Sequence, residues 1–120
     1  CYRPLGVQRT FFALVPDERY VANPAKGSRH NRGAAVDLTM VDAAGRELAM
    51  PTAFDDFSER AHRTYMALPA EALANRARLE QAMTQAGFVP MPTEWWHFDD
   101  RDAGRYPISD VSFDALQGRR

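Results

Sequence analysis

The sequence predicts an α+β domain, a small mostly antiparallel sheet with flanking helices. Three observations carry that reading. Two stretches, 5–15 and 70–86, place apolar residues at helical spacing. One run, 34–41, alternates large and small or polar side chains with the period of a strand. Gly and Pro punctuate the chain between these segments, at Pro16, Gly45, Pro51, Pro69 and Gly87.

Each element follows from its own residues. Pro4 suits a helix start, where its missing N–H costs nothing. Val7, Phe11, Leu14 and Val15 then form one apolar stripe, and Pro16 ends the helix. Residues 17–33 read as a long polar loop, and a loop of that length is often functional. In the strand from Ala34 to Val41, Val36, Leu38 and Met40 point one way, and Ala35, Asp37 and Thr39 the other. Asp42 to Gly45 is a turn, with Arg46 to Met50 returning as its hairpin partner. Pro51 to Phe57 is loop, and Ser58 caps a short helix through Tyr65. Pro69 and Glu71 open the stronger helix, with Ala72, Leu79, Met83 and Ala86 on its buried side and Gly87 as its stop. Phe88 to Pro90 and Glu94 to Asp99 are the remaining strands.

Composition limits the functions available. The 120 residues are 45% hydrophobic and 26% charged, which excludes a disordered tail, a collagen and a disulfide scaffold. The net charge of -1 provides no basic footprint for nucleic acid or an anionic membrane. The longest charge-free apolar run, Phe11 to Val15, is too short to span a bilayer. A single cysteine, Cys1, forms no internal disulfide and permits a reduced compartment; it reads as a packing residue. The chain opens without Met, at Cys1-Tyr2-Arg3-Pro4. We read residues 1–120 as one domain, the C-terminal portion of a longer chain, with the preceding segment absent or supplied as another chain. The compartment is then cytoplasmic or periplasmic, any targeting signal lying upstream.

Two of the three histidines sit where chemistry is expected. His30 lies in the polar loop seven residues before Asp37, an acid inside the apolar run Ala-Ala-Val-Asp-Leu-Thr-Met-Val. A carboxylate facing a core must be paired or must hold a metal. His97 lies among large apolar residues in Glu94-Trp95-Trp96-His97-Phe98. Two imidazoles, one carboxylate and an open position make the ligand set of a catalytic zinc site. Glu94, three residues before His97, can serve as general base, but on a strand i and i+3 face opposite sides. It reaches the metal only from a bend at the strand start, which Pro92 and Thr93 allow. Taken alone, Glu94 reads as a solvated carboxylate at a strand end. His62 belongs to a solvated helical face, and Trp95 and Trp96 are expected on opposite faces of the strand.

These residues carry a resemblance. Ser28-Arg29-His30-Asn31-Arg32-Gly33-Ala34-Ala35-Val36-Asp37 is similar to the S-x-H-x-x-G-x-A-x-D motif of the zinc D-Ala-D-Ala metallopeptidases. Glu94-Trp95-Trp96-His97 resembles the E-W-W-H element of their VanX-type D-alanyl-D-alanine dipeptidase branch. Tyr2-Arg3-Pro4 resembles its Y-R-P element, and Phe54-Asp55 its F-D element, which favours Asp55 over Asp56. The order agrees from residue 2 to residue 99. Related carboxypeptidases and the hedgehog signalling domain share the ligands but lack the double Trp.

The resemblance implies hydrolysis of D-alanyl-D-alanine to D-alanine, with one zinc held by His30, Asp37 and His97. Zinc-bound water would be the nucleophile, Glu94 the general base, and Arg3 the stabiliser of the oxyanion. Ser28 and Asp55 would hold the free ammonium of the dipeptide. Two alternatives stand beside this one: a peptidoglycan D,D-carboxypeptidase or endopeptidase of the same superfamily, and a zinc-stabilised binding domain without turnover. Vancomycin resistance and D-alanine salvage are both physiological tasks open to such a dipeptidase.

Overall fold

A computed structural model of the chain describes residues 1–118; the last two residues of the expected domain lie outside the described residues. Two compact units are present. The first comprises Cys1–Ala35 with the C-terminal segment from Asp102, and the second comprises Val36–Arg101.

In the first unit, α1 spans Leu5–Leu14 with Pro4 as its N-cap, as its spacing predicts. Its apolar stripe is not the buried side, however. Phe11 and Leu14 are 40% and 75% exposed, whereas Gln8 is fully buried. Gln8 tolerates burial because both ends of its amide are satisfied. Its Oε1 accepts from Arg3 and its Nε2 donates to the Ala22 carbonyl, each at 2.8 Å. The expected loop 17–33 contains a 3₁₀ turn, Arg29–Arg32. Ser28 Oγ accepts from the His30 N–H at 3.2 Å, and Asn31 Oδ1 from the Ser28 N–H at 2.7 Å. Gly33 closes the turn at φ 65, a left-handed backbone that an L side chain resists. An added Cβ there would meet nothing within 4 Å, so the conformation, not space, requires glycine. A second 3₁₀ turn, Ala103–Arg105, and a short helix, α3 (Phe113–Gln117), are unanticipated. Ser112 caps α3 through the Ala115 N–H. Cys1 is exposed and in no disulfide, so it is not the packing residue expected.

The second unit carries the sheet. Three strands, β1 (Ala35–Asp37), β2 (Phe88–Pro90) and β3 (His97–Asp100), lie in the order β1-β3-β2. β1 begins at the last residue of the first unit. β2 and β3 pair antiparallel, with Val89 opposite Asp99. β1 is shorter than the sequence implies, although the Leu38 N–H still donates to the Trp96 carbonyl at 3.1 Å. The expected hairpin is reduced to a single antiparallel bridge between Val41 and Glu47 around the Asp42–Gly45 turn. The segment after Ser58 forms only a 3₁₀ turn, Glu59–Ala61, so His62 lies outside any helix.

α2 (Ala70–Gln85) starts at Pro69 and gives way at Gly87, φ 92, as expected. Ala72 and Leu79 are buried, while Ala86 is exposed. Leu79 packs with Ala61, Trp95, Trp96 and Phe98 in the core, flanked by Val36, Leu38 and Met40. The alternation read from residues 36–40 therefore holds. Among the described residues no helix is long and apolar enough to cross a membrane.

Candidate functional site

The non-core face of the sheet follows from strand alternation. In β3, Phe98 enters the core with no exposed surface, so His97 and Asp99 share the opposite face. In β1, Val36 flanks the core, so Asp37 turns away from it. Because β1 and β3 are neighbours, Asp37 and His97 meet. Asp37 thus lies opposite Val36, as the alternation implies, yet its side chain is only 12% exposed.

His97 is enclosed by carboxylates. Its Nδ1 lies 3.1 Å from Asp37 Oδ1 and 3.7 Å from Glu94 Oε2, and its Nε2–H donates to Asp99 Oδ1 at 2.7 Å. His97 and Glu94 are both buried. Burial alone pulls the imidazolium pKa down. Hydrogen bonds to Asp37 and Asp99, and their charges, outweigh that and raise it to about 9. A proton thus answers the local negative charge, a role a divalent cation fills equally well.

Glu94 reaches His97 because the strand starts late. Trp95 and Trp96 belong to a turn, and β3 begins only at His97. The i, i+3 pair is therefore not split across a pleat, and the bend anticipated at Pro92 and Thr93 is present. Neither Trp points away from the core, contrary to expectation. Both are 1% exposed and pack edge to face, with ring centroids 5.4 Å apart. Trp95 Nε1 donates to Thr52 Oγ1 at 2.9 Å, and the Phe54 ring meets Trp96 at 5.6 Å. That contact brings the loop of Asp55 against the turn of Glu94. Asp55 is exposed and holds a left-handed φ of 59, a strained backbone for a non-glycine residue.

The first unit holds the other residues. His30 Nδ1–H donates to the Cys1 carbonyl at 2.9 Å, which leaves Nε2 as the ring nitrogen that could hold a metal. Arg3 is held in place at several points. Its N–H donates to the His30 carbonyl at 2.9 Å, and Asn31 Nδ2 donates to its carbonyl at 2.8 Å. Its Nη1 donates to Gln8, and its guanidinium lies 4.8 Å from the centroid of the Phe11 ring. Tyr2 anchors the segment through its hydroxyl, which donates to the Val111 carbonyl at 2.9 Å. The Ser28 hydroxyl serves the 3₁₀ turn that carries His30.

The donor set fits a divalent cation. Asp37 and His97 stand together, and each histidine has its second ring nitrogen tied to an oxygen acceptor, as metal-ligating histidines do. Asp99 and Gln8 were missed from sequence. Asp99 was findable, since i and i+2 of a strand share a face. Gln8 had no signal, because its burial depends on contacts with Arg3 and Ala22.

Comparison with known proteins gives the family. A family described as D-ala-D-ala dipeptidase matches residues 1–115. The chain is 41% identical over 107 residues to a D-alanyl-D-alanine dipeptidase of Escherichia coli (strain K12), covering 89% of this chain and 55% of that protein. It is 38% identical over 90 residues to one of Enterococcus faecium, covering 74% and 44%. It is 35% identical over 99 residues to one of Streptomyces coelicolor, covering 82% and 46%. The chain spans about half the length of the curated relatives it matches. With the match running over nearly every residue, the chain belongs to the D-ala-D-ala dipeptidase family.

Proposed function

We propose that the protein is a zinc dipeptidase that hydrolyses D-alanyl-D-alanine to D-alanine. The observation that carries the metal reading is His97, buried between Asp37 and Asp99 with Glu94 beside it. His30, Asp37 and His97 are of the types and number that could hold a metal ion. The relatives' names supply the substrate.

When bound, zinc would polarise the scissile carbonyl and acidify water. The remaining work falls to the chain. Glu94 accepts the proton of the attacking water and returns it to the leaving amine. Arg3, positioned by Gln8 and the His30 carbonyl, meets the developing oxyanion with a guanidinium that needs little reorganisation. Asp55 and Ser28 hold the substrate ammonium, which restricts the enzyme to free N-termini.

The test replaces Glu94 by Ala and measures D-alanine release and zinc content on the same sample. Zinc is retained, and turnover falls by about 10²- to 10⁴-fold, the usual contribution of a general base. Activity equal to the parent's refutes the mechanism. N-acylated D-Ala-D-Ala is left intact by the parent; its hydrolysis at a comparable rate would favour the carboxypeptidase reading.

A further inference from the structure

Arg63 has no part in the chemistry above, yet its guanidinium reaches both ends of the segment that carries Glu94 and His97. It lies just after the 3₁₀ turn Glu59–Ala61, and its side chain is only 9% exposed. The turn from Met91 to His97 is closed by the Met91 N–H donating to the His97 carbonyl at 3.1 Å. One guanidinium binds both ends of that turn. Arg63 Nε donates to the Met91 carbonyl at 2.7 Å, and Nη2 to the His97 carbonyl at 3.0 Å. The Arg63 N–H donates to the Pro92 carbonyl at 2.9 Å. The remaining Nη1 donates to Glu80 of α2 at 3.1 Å, and the guanidinium stacks 4.5 Å from the centroid of the Phe98 ring.

We propose that Arg63 is a positioning residue for the metal site: by bridging the carbonyls of Met91 and His97 it fixes the turn that presents Glu94 and His97 together. The proposal rests on the reading of His97 as a metal ligand. The geometry explains why arginine is used. Two carbonyls and a carboxylate are met at once by a rigid planar fork, whereas a lysine ammonium at the same place reaches one of them and stacks poorly. The bonds go to backbone oxygens, so Arg63 acts on where the turn sits and not on the charge of His97. Arg76 provides an internal comparison. It is also buried, but it donates to the carbonyls of His62 and Tyr65 and makes no bond to the 91–97 turn.

The experiment compares the parent with Arg63→Met, Arg63→Lys and Arg76→Met. Two readouts are taken: amide hydrogen exchange of the chelator-treated chain, and zinc affinity by competition with a chromophoric chelator. In Arg63→Met the amides of residues 94–98 exchange about tenfold faster, while those of α2 keep their protection. Its zinc dissociation constant rises about 10- to 100-fold, as for other supporting partners of metal ligands. Arg63→Lys falls between Met and the parent, and Arg76→Met stays within about twofold of the parent in both readouts. Unchanged exchange at the turn in both Arg63 variants overturns the proposal. So does a loosened turn with unaltered zinc affinity, or an Arg76→Met variant that loses zinc as severely as Arg63→Met. Should Arg63→Met fail to fold, Arg63→Lys carries the comparison. A parent that takes up no zinc defeats the metal reading instead, and the exchange data still decide whether Arg63 holds the turn.

Discussion

Replacing Asp99 by Asn tests how far the surroundings of His97 set its capacity as a ligand. The carboxylate accepts from His97 Nε2 at 2.7 Å, and its side chain is 17% exposed. Asn keeps the size and an acceptor oxygen but removes the charge. A hydrogen bond to a charged group contributes about 1.5–3 kcal/mol, and a neutral one about 0.5–1.5 kcal/mol. The difference of about 1–2 kcal/mol corresponds to roughly 5- to 30-fold in an equilibrium constant. Losses of metal affinity on altering such partners run about 10- to 100-fold, which overlaps that range. The assay is zinc affinity by chelator competition on a variant whose circular dichroism matches the parent. A rise of about tenfold in the zinc dissociation constant is expected. An affinity within about twofold of the parent would show that the Asp99 charge does not reach the metal through the imidazole.

Three further outcomes follow from packing. Phe98→Ala removes a ring with no exposed surface from between Leu79, the two Trp rings and Arg63, and should cost about 3–5 kcal/mol in urea unfolding. A loss under about 1 kcal/mol would mean that the core is not centred there. Gln8→Ala leaves the Arg3 guanidinium and the Ala22 carbonyl without their buried amide and should cost about 1–3 kcal/mol by the same method. Gly87→Ala places a side chain at φ 92 beside the Arg101 guanidinium and should lower stability by more than about 1 kcal/mol; a stabilised variant would contradict the left-handed stop after α2.

Local chemistry made much of this legible in sequence. α2 announced itself through Pro69, Leu79 and Gly87, and α1 through Pro4 and Pro16, because caps and breakers act within a turn of their position. His30, Asp37 and His97 stood out for a similar reason, as polar groups placed among apolar neighbours or beside a turn, whereas Glu94 read alone as a solvated carboxylate, entered only through the resemblance, and is in fact buried. What escaped depends on partners distant in sequence. Trp95 and Trp96 alternate like strand residues, but they fall in a turn whose Met91 and His97 carbonyls accept from Arg63, 28 and 34 residues away in sequence. The stripe of α1 predicts burial of Phe11 and Leu14, and only the Arg3–Gln8–Ala22 contacts show why Gln8 is buried instead. α3 has a readable cap in Ser112, but it is five residues long and carries no repeat of the helical period.

The central claim is that His30, Asp37 and His97 hold one zinc ion. Elemental analysis of the parent and His30→Ala, purified in parallel and dialysed against the same zinc buffer, tests it most directly. The account predicts about one zinc per parent chain and almost none in His30→Ala, since two remaining ligands do not make a tight site. Equal zinc in both would remove His30 from the ligand set and contradict the account.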